Sequence, residues 1–365
     1  MKRYVNLSKN ILLSNIRRLD FPYKLTFVVT YWCNYRCKTC NIWQMKPKDE
    51  LTLHEIEEFF YKSNKFNWID FTGGEVWLRK DFPDIVAAAL FHCQNLAAVH
   101  FPTNGYMTER IVAGVERMMK IRSVRLVVTV STDGDEAVND DVRGVEGGWR
   151  RQMETYRKLH AIPGVKVVLG MTLSALNANQ YDKAFAAAKK ECPWLQPTDF
   201  HMNIAHESSH YYGNTGSGIR QKDTNQVVEQ VNRYRSLRGL PIDPLAILET
   251  RYLKHAEQYL RSGITPMRCH ALHSSCFIDS WGNVYPCGMY DAKIASLREY
   301  GLSLQAIWNL PRTHQLQKEI WNYQCPQCWT PCEAYQSLLG NLFGLTNTPA
   351  NLAKRPPLAE SGKVR

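Results

Sequence analysis

Short apolar segments alternate with helix-like segments over the first 205 residues of the chain. The apolar segments are rich in β-branched and aromatic residues, as is typical of buried strands, and they lie at residues 24–31, 68–72, 98–101, 124–131, 165–173 and 199–205. Helix-like segments separate them, near residues 52–63, 81–93, 107–119, 148–159 and 179–190. Strands that alternate with helices predict an α/β fold with a parallel sheet covered by helices. Six such units, rather than eight, predict a partial (β/α)6 barrel related to the TIM barrel.

The rest of the chain divides into shorter units. A basic amphipathic stretch at 5–18 predicts a helix that packs its apolar side on the barrel, and contact with a membrane surface is the alternative. After the barrel, polar helical sequence leads to a cysteine-rich segment that predicts a small α+β domain. The expected domains are an N-terminal extension (1–23), the barrel (24–215), a helical linker (216–265), the cysteine-rich domain (266–345) and a polar, disordered tail (346–365).

Composition narrows the class of protein. Of the 365 residues, 44% are hydrophobic and 22% are charged, which is usual for a globular protein. No apolar run approaches the roughly 20 residues of a membrane helix, and the N-terminus has no signal sequence, so we expect a cytoplasmic protein. The formal net charge of +11 comes from scattered Lys and Arg residues that are not interleaved with aromatic residues. Nucleic-acid binding is therefore not expected.

Eleven cysteines are many for a chain that we expect in a reducing compartment. Nine of them fall into two clusters, which favours metal ligands over disulfides. Cys33, Cys37 and Cys40 form the first cluster, with C-x3-C-x2-C spacing directly after the first predicted strand. Three thiolates on one short loop can bind three corners of a cubane iron–sulfur cluster and leave one iron without a protein ligand. A zinc site is the alternative, but zinc prefers four closed ligands.

A glycine turn follows the second predicted strand. In Thr72-Gly73-Gly74-Glu75 the two glycines allow the backbone to approach a ligand closely, and the Glu75 carboxylate can accept a hydrogen bond from an ammonium group. The turn and the cysteine loop both lie at the carboxyl ends of predicted strands, where α/β folds build their sites.

With these two motifs the sequence resembles the radical SAM superfamily. YWCNYRCKTC is similar to the cluster-binding motif of that family, and FTGGE is similar to its methionine-binding turn. The resemblance implies a 4Fe–4S cluster whose open iron binds S-adenosylmethionine (SAM), and cleavage of SAM to a 5′-deoxyadenosyl radical that abstracts hydrogen from a substrate. It also implies SAM contacts at Asn104, at Ser131 for the ribose, at Arg143 for the carboxylate and at Asn177, for which a helix-start role is the alternative.

The second cysteine cluster resembles the SPASM/twitch extension of the same superfamily, which carries auxiliary 4Fe–4S clusters. Two cysteines bracket a predicted hairpin turn at Gly282, and a C-x2-C pair follows. Cys276 or Cys332 could replace one ligand, and a buried thiol that binds nothing is the alternative for each. A zinc ribbon is the rival for the whole segment. The resemblance implies one auxiliary 4Fe–4S cluster with the ligands Cys269, Cys287, Cys325 and Cys328.

The resemblance leaves the substrate open between a peptide and a small polar metabolite. It implies that the auxiliary cluster accepts an electron or binds the substrate, and that a flavodoxin or ferredoxin supplies electrons. His201, His206 and His210, around the sixth predicted strand, are candidates for substrate contact, with ordinary core or surface roles as the alternative. A non-catalytic zinc-binding scaffold or regulatory module is the second hypothesis for the whole chain.

Overall fold

The computed structural model describes residues 2–220, 224–239 and 242–344. The tail at 346–365, which the sequence predicts to be disordered, lies outside these residues. The strands are β1 (Lys24–Thr30), β2 (Trp68–Gly73), β3 (Ala98–Thr103), β4 (Arg125–Ser131), β5 (Val165–Leu173), β6 (Phe200–Ile204), β7 (Ser275–Ile278), β8 (Asn283–Tyr285) and β9 (Ala295–Ser296).

The α-helices of the described residues lie between and after these strands. They are α1 (Lys2–Ser14), α2 (Leu53–Lys62), α3 (Phe82–His92), α4 (Thr108–Ile121), α5 (Glu136–Arg143), α6 (Gly148–His160), α7 (Tyr181–Glu191), α8 (Thr224–Leu237), α9 (Pro244–Ser262), α10 (Leu304–Trp308), α11 (Pro311–Trp321) and α12 (Pro331–Leu339). None of these helices has the length and apolar character that crossing a bilayer requires.

The strands form one sheet in the order β6-β5-β4-β3-β2-β1-β7-β8-β9. From β1 to β6 each strand pairs in parallel with the next. The predicted fold class, a partial barrel of six parallel strands followed by a smaller α+β part, is confirmed. The ends of the six predicted barrel strands and of the five helices predicted between them lie within about two residues of the observed ends, which is the usual uncertainty of such boundaries.

The two faces of the barrel strands differ in polarity. On β1, Phe27 points outward and packs against Phe59 and Phe60 of α2. Asp70 of β2 and His100 of β3 point inward and line an interior cavity. The interior of a closed TIM barrel is filled mainly by branched apolar side chains. Here the barrel interior is a cavity lined by both polar and apolar side chains, and the apolar core lies between the sheet and the outer helices.

The C-terminal part continues the sheet of the barrel. Strand β7 pairs in parallel with β1, with Ser275 opposite Lys24, and β8 returns antiparallel to β7. Gly282 lies in the turn between β7 and β8 with φ +84°, as the predicted hairpin requires. The cysteine-rich segment is therefore joined to the barrel edge through backbone hydrogen bonds.

Helix α1 forms where the sequence predicts a helix, but it packs differently. Its contacts with the barrel include polar ones, since Asn10 Nδ2 donates to Asn67 Oδ1 at 2.7 Å and Asn67 Nδ2 donates to Asn6 Oδ1 at 2.9 Å. Val5 and Leu12 are 64% and 49% exposed. The expectation that the apolar side faces the barrel is wrong for these two residues, because the amides of the helix pair with the Asn67 amide instead.

Candidate active site

The strands of the barrel and the start of α12 surround a cavity of about 280 Å³. Its wall brings together residues that are distant in the sequence. Of the residues singled out from the sequence, it contains Cys33, Cys37, Cys40, Gly73, Gly74, Asn104, Ser131, Arg143, His201 and Cys332.

The cysteine loop after β1 is held by its own turn and by helix α5. Cys40 N donates to Cys37 O at 3.2 Å, which closes the turn. Gly144 ends α5 with φ +67°, and a Cβ there would lie 2.5 Å from Arg36 O in the loop. Only glycine fits where the end of α5 meets the loop. The sequence did not reveal α5, because this helix has only eight residues and contains few apolar ones.

The glycine turn packs directly against the backbone of the cysteine loop. Gly74 N donates to Thr30 O at 2.9 Å, and Glu75 N donates to Trp32 O at 2.8 Å. A Cβ on Gly73 would lie 2.0 Å from Thr30 O, and one on Gly74 would lie 2.2 Å from Trp32 O. The close approach that these glycines allow is therefore to the chain itself, while the two glycines also form part of the cavity wall.

Glu75 is buried behind this turn, with only 1% of its surface exposed. Its carboxylate accepts hydrogen bonds from Asn104 N at 2.6 Å, Thr103 Oγ1 at 2.9 Å and Trp77 N at 3.3 Å. Burial raises the pKa of Glu75 to about 7, although these donors oppose the shift. The sequence suggested a contact with an ammonium group, but here the carboxylate joins the turn after β2 to the turn after β3.

Arg143 reaches the cavity wall from the end of α5. Its Nη1 donates to Asp133 Oδ2 at 2.7 Å, and its guanidinium lies 5.4 Å from the ring centre of Tyr35. Burial opposes the charged form, but Cys37 and Asp133 outweigh it and raise the pKa of Arg143. The Nε atom is buried and has no hydrogen-bond partner. An unpaired N–H beside a cavity suits a carboxylate ligand. Ser131, at the end of β4, lies on the same wall.

The two asparagines expected at the SAM site have different surroundings. Asn104 lies on the cavity wall, and its Nδ2 donates to Asn34 Oδ1 of the cysteine loop at 2.7 Å. Asn177 is buried, and its Nδ2 donates to Asp133 O at 2.9 Å and to Thr172 O at 3.0 Å. Asn177 is therefore not on the cavity wall, and it supports Asp133 from behind.

Four thiols of the C-terminal part form a second group outside the cavity wall. Burial raises the pKa of Cys269 and of Cys287 well above its usual value, and the neighbouring charges of Glu333 and Cys328 raise it further. The pKa of Cys328 is raised to about 12 by burial and then by Cys325. Thiols that shift one another's pKa through their charges must be near neighbours. The fold thus brings together the four cysteines that the resemblance implies as auxiliary ligands.

The loop after β6 connects this second group to the barrel. His206 Nε2 accepts a hydrogen bond from Trp329 N at 3.1 Å, and His210 Nε2 donates to Cys287 O at 3.1 Å. Burial lowers the pKa of His206 to about 4 and also lowers that of His210. Both histidines therefore bind backbone next to the cysteines, whereas His201 lies on the cavity wall.

Cys276 and Cys332 lie apart from the group of four. Cys276 is fully buried in the apolar core on β7. Cys332, in the first turn of α12, has an exposed side chain on the cavity wall. Desolvation inside the cavity raises the pKa of Cys332 to about 11, and the charges of Lys24, Asp70 and Glu333 act on it as well.

The arrangement of thiols is compatible with iron–sulfur clusters. Within the residues that the structure describes, no three His, Cys, Asp or Glu side chains converge on a point that would hold a single metal ion. A cubane binds each thiolate to a different iron, so its ligands are spread more widely than those of one zinc ion. Three cysteines on one loop, beside the unpaired Arg143 Nε, fit a cluster that leaves one iron for a ligand with a carboxylate.

Comparisons with known proteins agree with this geometry. The chain is 24% identical over 307 residues to the sporulation killing factor maturation protein SkfB of Bacillus subtilis. This alignment covers 83% of this chain and 69% of SkfB. It is 23% identical to the antilisterial bacteriocin subtilosin biosynthesis protein AlbA of the same organism, over 88% of this chain and 66% of AlbA. The match to the mycofactocin maturase MftC of Mycolicibacterium smegmatis covers 43% of that protein.

Solved structures show the same fold. Streptococcus suis SuiB bound to S-adenosylmethionine superposes with a TM-score of 0.57 at 16% identity, over 82% of this chain and 68% of SuiB. The enzyme anSMEcpe with bound AdoMet and a peptide superposes with a TM-score of 0.56 at 15% identity, over 82% of this chain and 83% of that chain.

Two family matches complete the comparison. Residues 27–185 match the radical SAM superfamily, and residues 269–329 match SPASM, an iron–sulfur cluster-binding domain. The first match contains the cysteine loop and the glycine turn, and the second contains all four cysteines of the C-terminal group. The family resemblance inferred from the motifs is confirmed. The chain belongs to the radical SAM superfamily and carries a C-terminal SPASM iron–sulfur cluster-binding domain.

Proposed function

We propose that this protein cleaves SAM at a 4Fe–4S cluster bound by the cysteine loop and modifies a peptide in the barrel cavity by hydrogen abstraction. The observation that carries the proposal is the shared cavity. Its wall contains the cysteine loop and Arg143, and it continues to the inward residues His100 and His201 of the barrel. When bound, the cluster would supply the electron that breaks the C5′–S bond of SAM.

The residues of the cavity wall then have distinct roles in binding SAM. Arg143 binds the SAM carboxylate through its unpaired N–H, and Asp133 orients the guanidinium. Ser131 bonds to the ribose from the end of β4. Asn104 and the glycine turn hold the cysteine loop and contribute wall surface next to the methionine group.

The C-terminal group of thiols would bind one auxiliary 4Fe–4S cluster through Cys269, Cys287, Cys325 and Cys328. The SPASM match includes all four residues. His206 and His210 support the role, because they anchor the backbone beside Cys328 and at Cys287 to the barrel loop. An auxiliary cluster held in this way would accept an electron from the substrate or bind the substrate directly.

A peptide is the substrate class that the relatives favour. SkfB is named as a maturation protein for a sporulation killing factor, and solved structures contain SuiB with the precursor peptide SuiA and anSMEcpe with a peptide. A flavodoxin or ferredoxin would supply electrons. A reducing compartment such as the cytoplasm would keep the eleven cysteines available as ligands.

The test compares the parent protein with a variant in which Cys33, Cys37 and Cys40 are all changed to Ala. Both are purified anaerobically and reconstituted, and iron, sulfide, zinc and 5′-deoxyadenosine formation are measured. We expect about eight irons per chain in the parent and about four in the variant, with 5′-deoxyadenosine formed only by the parent. A variant with Cys93→Ala and Cys192→Ala, two buried thiols outside both groups, should match the parent.

The possible results separate the hypotheses. Stoichiometric zinc without iron in the parent would support the scaffold hypothesis and overturn the proposal. Candidate peptides and small polar metabolites are then added to the parent. Faster 5′-deoxyadenosine formation with a mass change in a peptide supports the peptide proposal. The same response to a metabolite alone would overturn that part.

A further inference from the structure

One side of helix α1 carries apolar side chains that face solvent. Val5, Leu12 and Ile16 are 64%, 49% and 77% exposed. Their spacing along the chain places them on one side of a helix, with Lys9 between them. The helical turn continues to Ile16, because Ile16 N donates to Leu13 O at 3.0 Å. These four residues, the α1 face, group exposed apolar side chains as a binding surface does.

The other side of α1 is fixed to the end of the barrel that lies away from the cysteine loop. Asn10 Nδ2 donates to Asn67 Oδ1 at 2.7 Å, directly before β2, and Arg3 Nη1 donates to Ser123 O, shortly before β4. Helix α1 therefore crosses the amino ends of the strands. The cysteine loop and the glycine turn follow the carboxyl ends of β1 and β2. The α1 face and the proposed SAM site thus lie at opposite ends of the barrel.

The surroundings of the α1 face are basic. The first 19 residues contain no acidic residue, and their basic residues are Lys2, Arg3, Lys9, Arg17 and Arg18. Lys2 and Lys9 are both exposed. Asp20, the first acidic residue of the chain, is paired with Arg17 Nη1 at 2.9 Å. This part of the surface therefore attracts negatively charged partners.

Other helices bring similar residues to the same end of the barrel. The helices α2, α3, α4 and α7 each run back from the carboxyl end of one strand to the amino end of the next. Tyr61 of α2 and Phe91 of α3 are 66% and 72% exposed close to the ends of their helices. Lys120 and Lys190 are exposed in the last turns of α4 and α7. Apolar and basic residues are thus combined beyond α1 as well.

We propose that the α1 face binds the surface of an anionic lipid bilayer. An amphipathic helix of this kind lies in the plane of the membrane, with its apolar side chains among the upper parts of the acyl chains. Lysine side chains beside them reach the lipid phosphates. The amino ends of the barrel strands would then face the membrane and the cysteine loop would face away from it. Binding of this kind goes beyond the proposed function and does not depend on chemistry at the cysteine loop.

A second copy of the chain fits the α1 face less well than lipid does. In a two-fold dimer the same face of both copies would meet. Lys9 of one copy would then lie close to Lys9 of the other, and α1 offers no acidic residue to either of them. Lipid phosphates supply the negative charge that a second α1 lacks. The charge of the helix therefore favours an anionic membrane.

Flotation with lipid vesicles tests the proposal. The cluster-loaded full chain is mixed with vesicles of phosphatidylglycerol and phosphatidylcholine in equal parts, or with vesicles of phosphatidylcholine alone, and the bound fraction is measured after flotation. We expect binding to the anionic vesicles, and binding weaker by about tenfold or more to the neutral ones. Added salt should weaken the binding to anionic vesicles, because it screens the lysines.

Two substitutions with matched controls separate the apolar and the charged parts of the surface. Leu12→Gln should weaken binding to anionic vesicles about fivefold, because less apolar area enters the membrane. Leu176→Gln, at a residue that is 44% exposed after the carboxyl end of β5, should leave binding unchanged. Lys9→Gln should weaken binding about fivefold. Lys48→Gln removes the same charge from the exposed loop between β1 and α2 and should have no such effect.

Each other outcome counts against the proposal. It is overturned if the parent does not float with anionic vesicles, if it binds both kinds of vesicle equally, or if Leu12→Gln and Lys9→Gln bind as tightly as their controls. Light scattering during size-exclusion chromatography gives the oligomeric state. A dimer of the parent that Leu12→Gln dissociates would make the α1 face an interface between copies and would also overturn the proposal.

Two controls keep this result separate from the proposed function. The iron content of the four variants should equal that of the parent, because all four residues are exposed and none is a cysteine of either group. Absence of 5′-deoxyadenosine from the parent would overturn the proposed function and leave a positive flotation result unaffected.

Discussion

Lys24 is a buried cation where the barrel meets the C-terminal part, and its removal tests how that junction is held. Its side chain is fully buried. Its Nζ lies 3.1 Å from Asp70 Oδ2 and donates to Thr26 Oγ1 at 2.6 Å and to Cys332 O at 2.8 Å. The substitution Lys24→Met keeps the length of the side chain but removes the charge and all of these contacts.

We expect Lys24→Met to lower the free energy of unfolding by about 3 kcal/mol. Burial opposes the charged form, but Asp70 and Glu333 outweigh it and raise the pKa of Lys24, so the pair is ionised at neutral pH. Losing one member of a buried pair typically costs about 3–5 kcal/mol. We expect the lower end of this range because Asp70 keeps two other partners in the variant. Trp68 Nε1 donates a hydrogen bond to it at 2.6 Å, and His100 Nδ1 lies 3.4 Å from its carboxylate.

The assay is urea unfolding of cluster-loaded protein under anaerobic conditions, followed by tryptophan fluorescence. Lys24→Met, Asp70→Asn and the double variant form a double-mutant cycle, and we expect a coupling of about 1.5 kcal/mol or more. Arg233→Met is the matched control. It removes an exposed pair with Asp182, in which the side chains are 55% and 48% exposed, and should cost less than about 1 kcal/mol. If Lys24→Met costs no more than the control, or if the costs of the two single variants simply add in the double variant, the Lys24–Asp70 pair does not hold this junction together.

Three other substitutions test separate parts of the site. Gly74→Ala would place a Cβ 2.2 Å from Trp32 O and displace the cysteine loop. Iron analysis of this variant should therefore show about four irons fewer per chain. The control Gly216→Ala, whose Cβ would meet no heavy atom within 4 Å, should lose no iron. Arg143→Lys should weaken SAM binding about tenfold or more, because an ammonium group cannot replace the two N–H donors of a guanidinium; an unchanged Kd in a calorimetric titration would contradict this role. Burial lowers the pKa of His206 from 6.5 to about 4. The unfolded chain therefore binds a proton at this residue more tightly than the folded chain does. Between pH 7 and pH 5 the free energy of unfolding of the parent should fall by about 2 kcal/mol through this group. His206→Asn should remove that part of the pH dependence, and equal losses in urea titrations of both proteins would argue against it.

The local pattern of the sequence determined the parallel barrel and the two groups of cysteines. Each strand and crossover helix is a short continuous segment whose apolar period depends on nearby residues alone, so its type could be predicted without knowing its neighbours. The cysteine loop is equally local, because Cys33, Cys37 and Cys40 lie within eight residues of one another. Spacing of this kind limits the chemistry before any fold is known.

The roles of single polar residues depended on contacts between distant parts of the chain. The sequence could not indicate that Glu75 accepts hydrogen bonds from the next turn, or that His206 binds the backbone at Trp329. Helix α5 was missed because its sequence is largely polar, although it supplies Arg143. A polar side chain fits a ligand or a backbone group equally well, and only the packed structure decides which one it meets.

The position of the C-terminal part was decided by tertiary structure alone. The sequence predicted the hairpin around Gly282, but the pairing of β7 with β1 depends on the free edge that the open barrel leaves. That pairing places α12 against the barrel and separates Cys332 from the other cysteines of its cluster. Spacing left Cys332 as a possible replacement for one of the four expected ligands, such as Cys328. Cys332 lies in the first turn of α12, and the packing of that helix directs its thiol into the cavity. Cys328 lies on the loop before the helix and stays with the group of four.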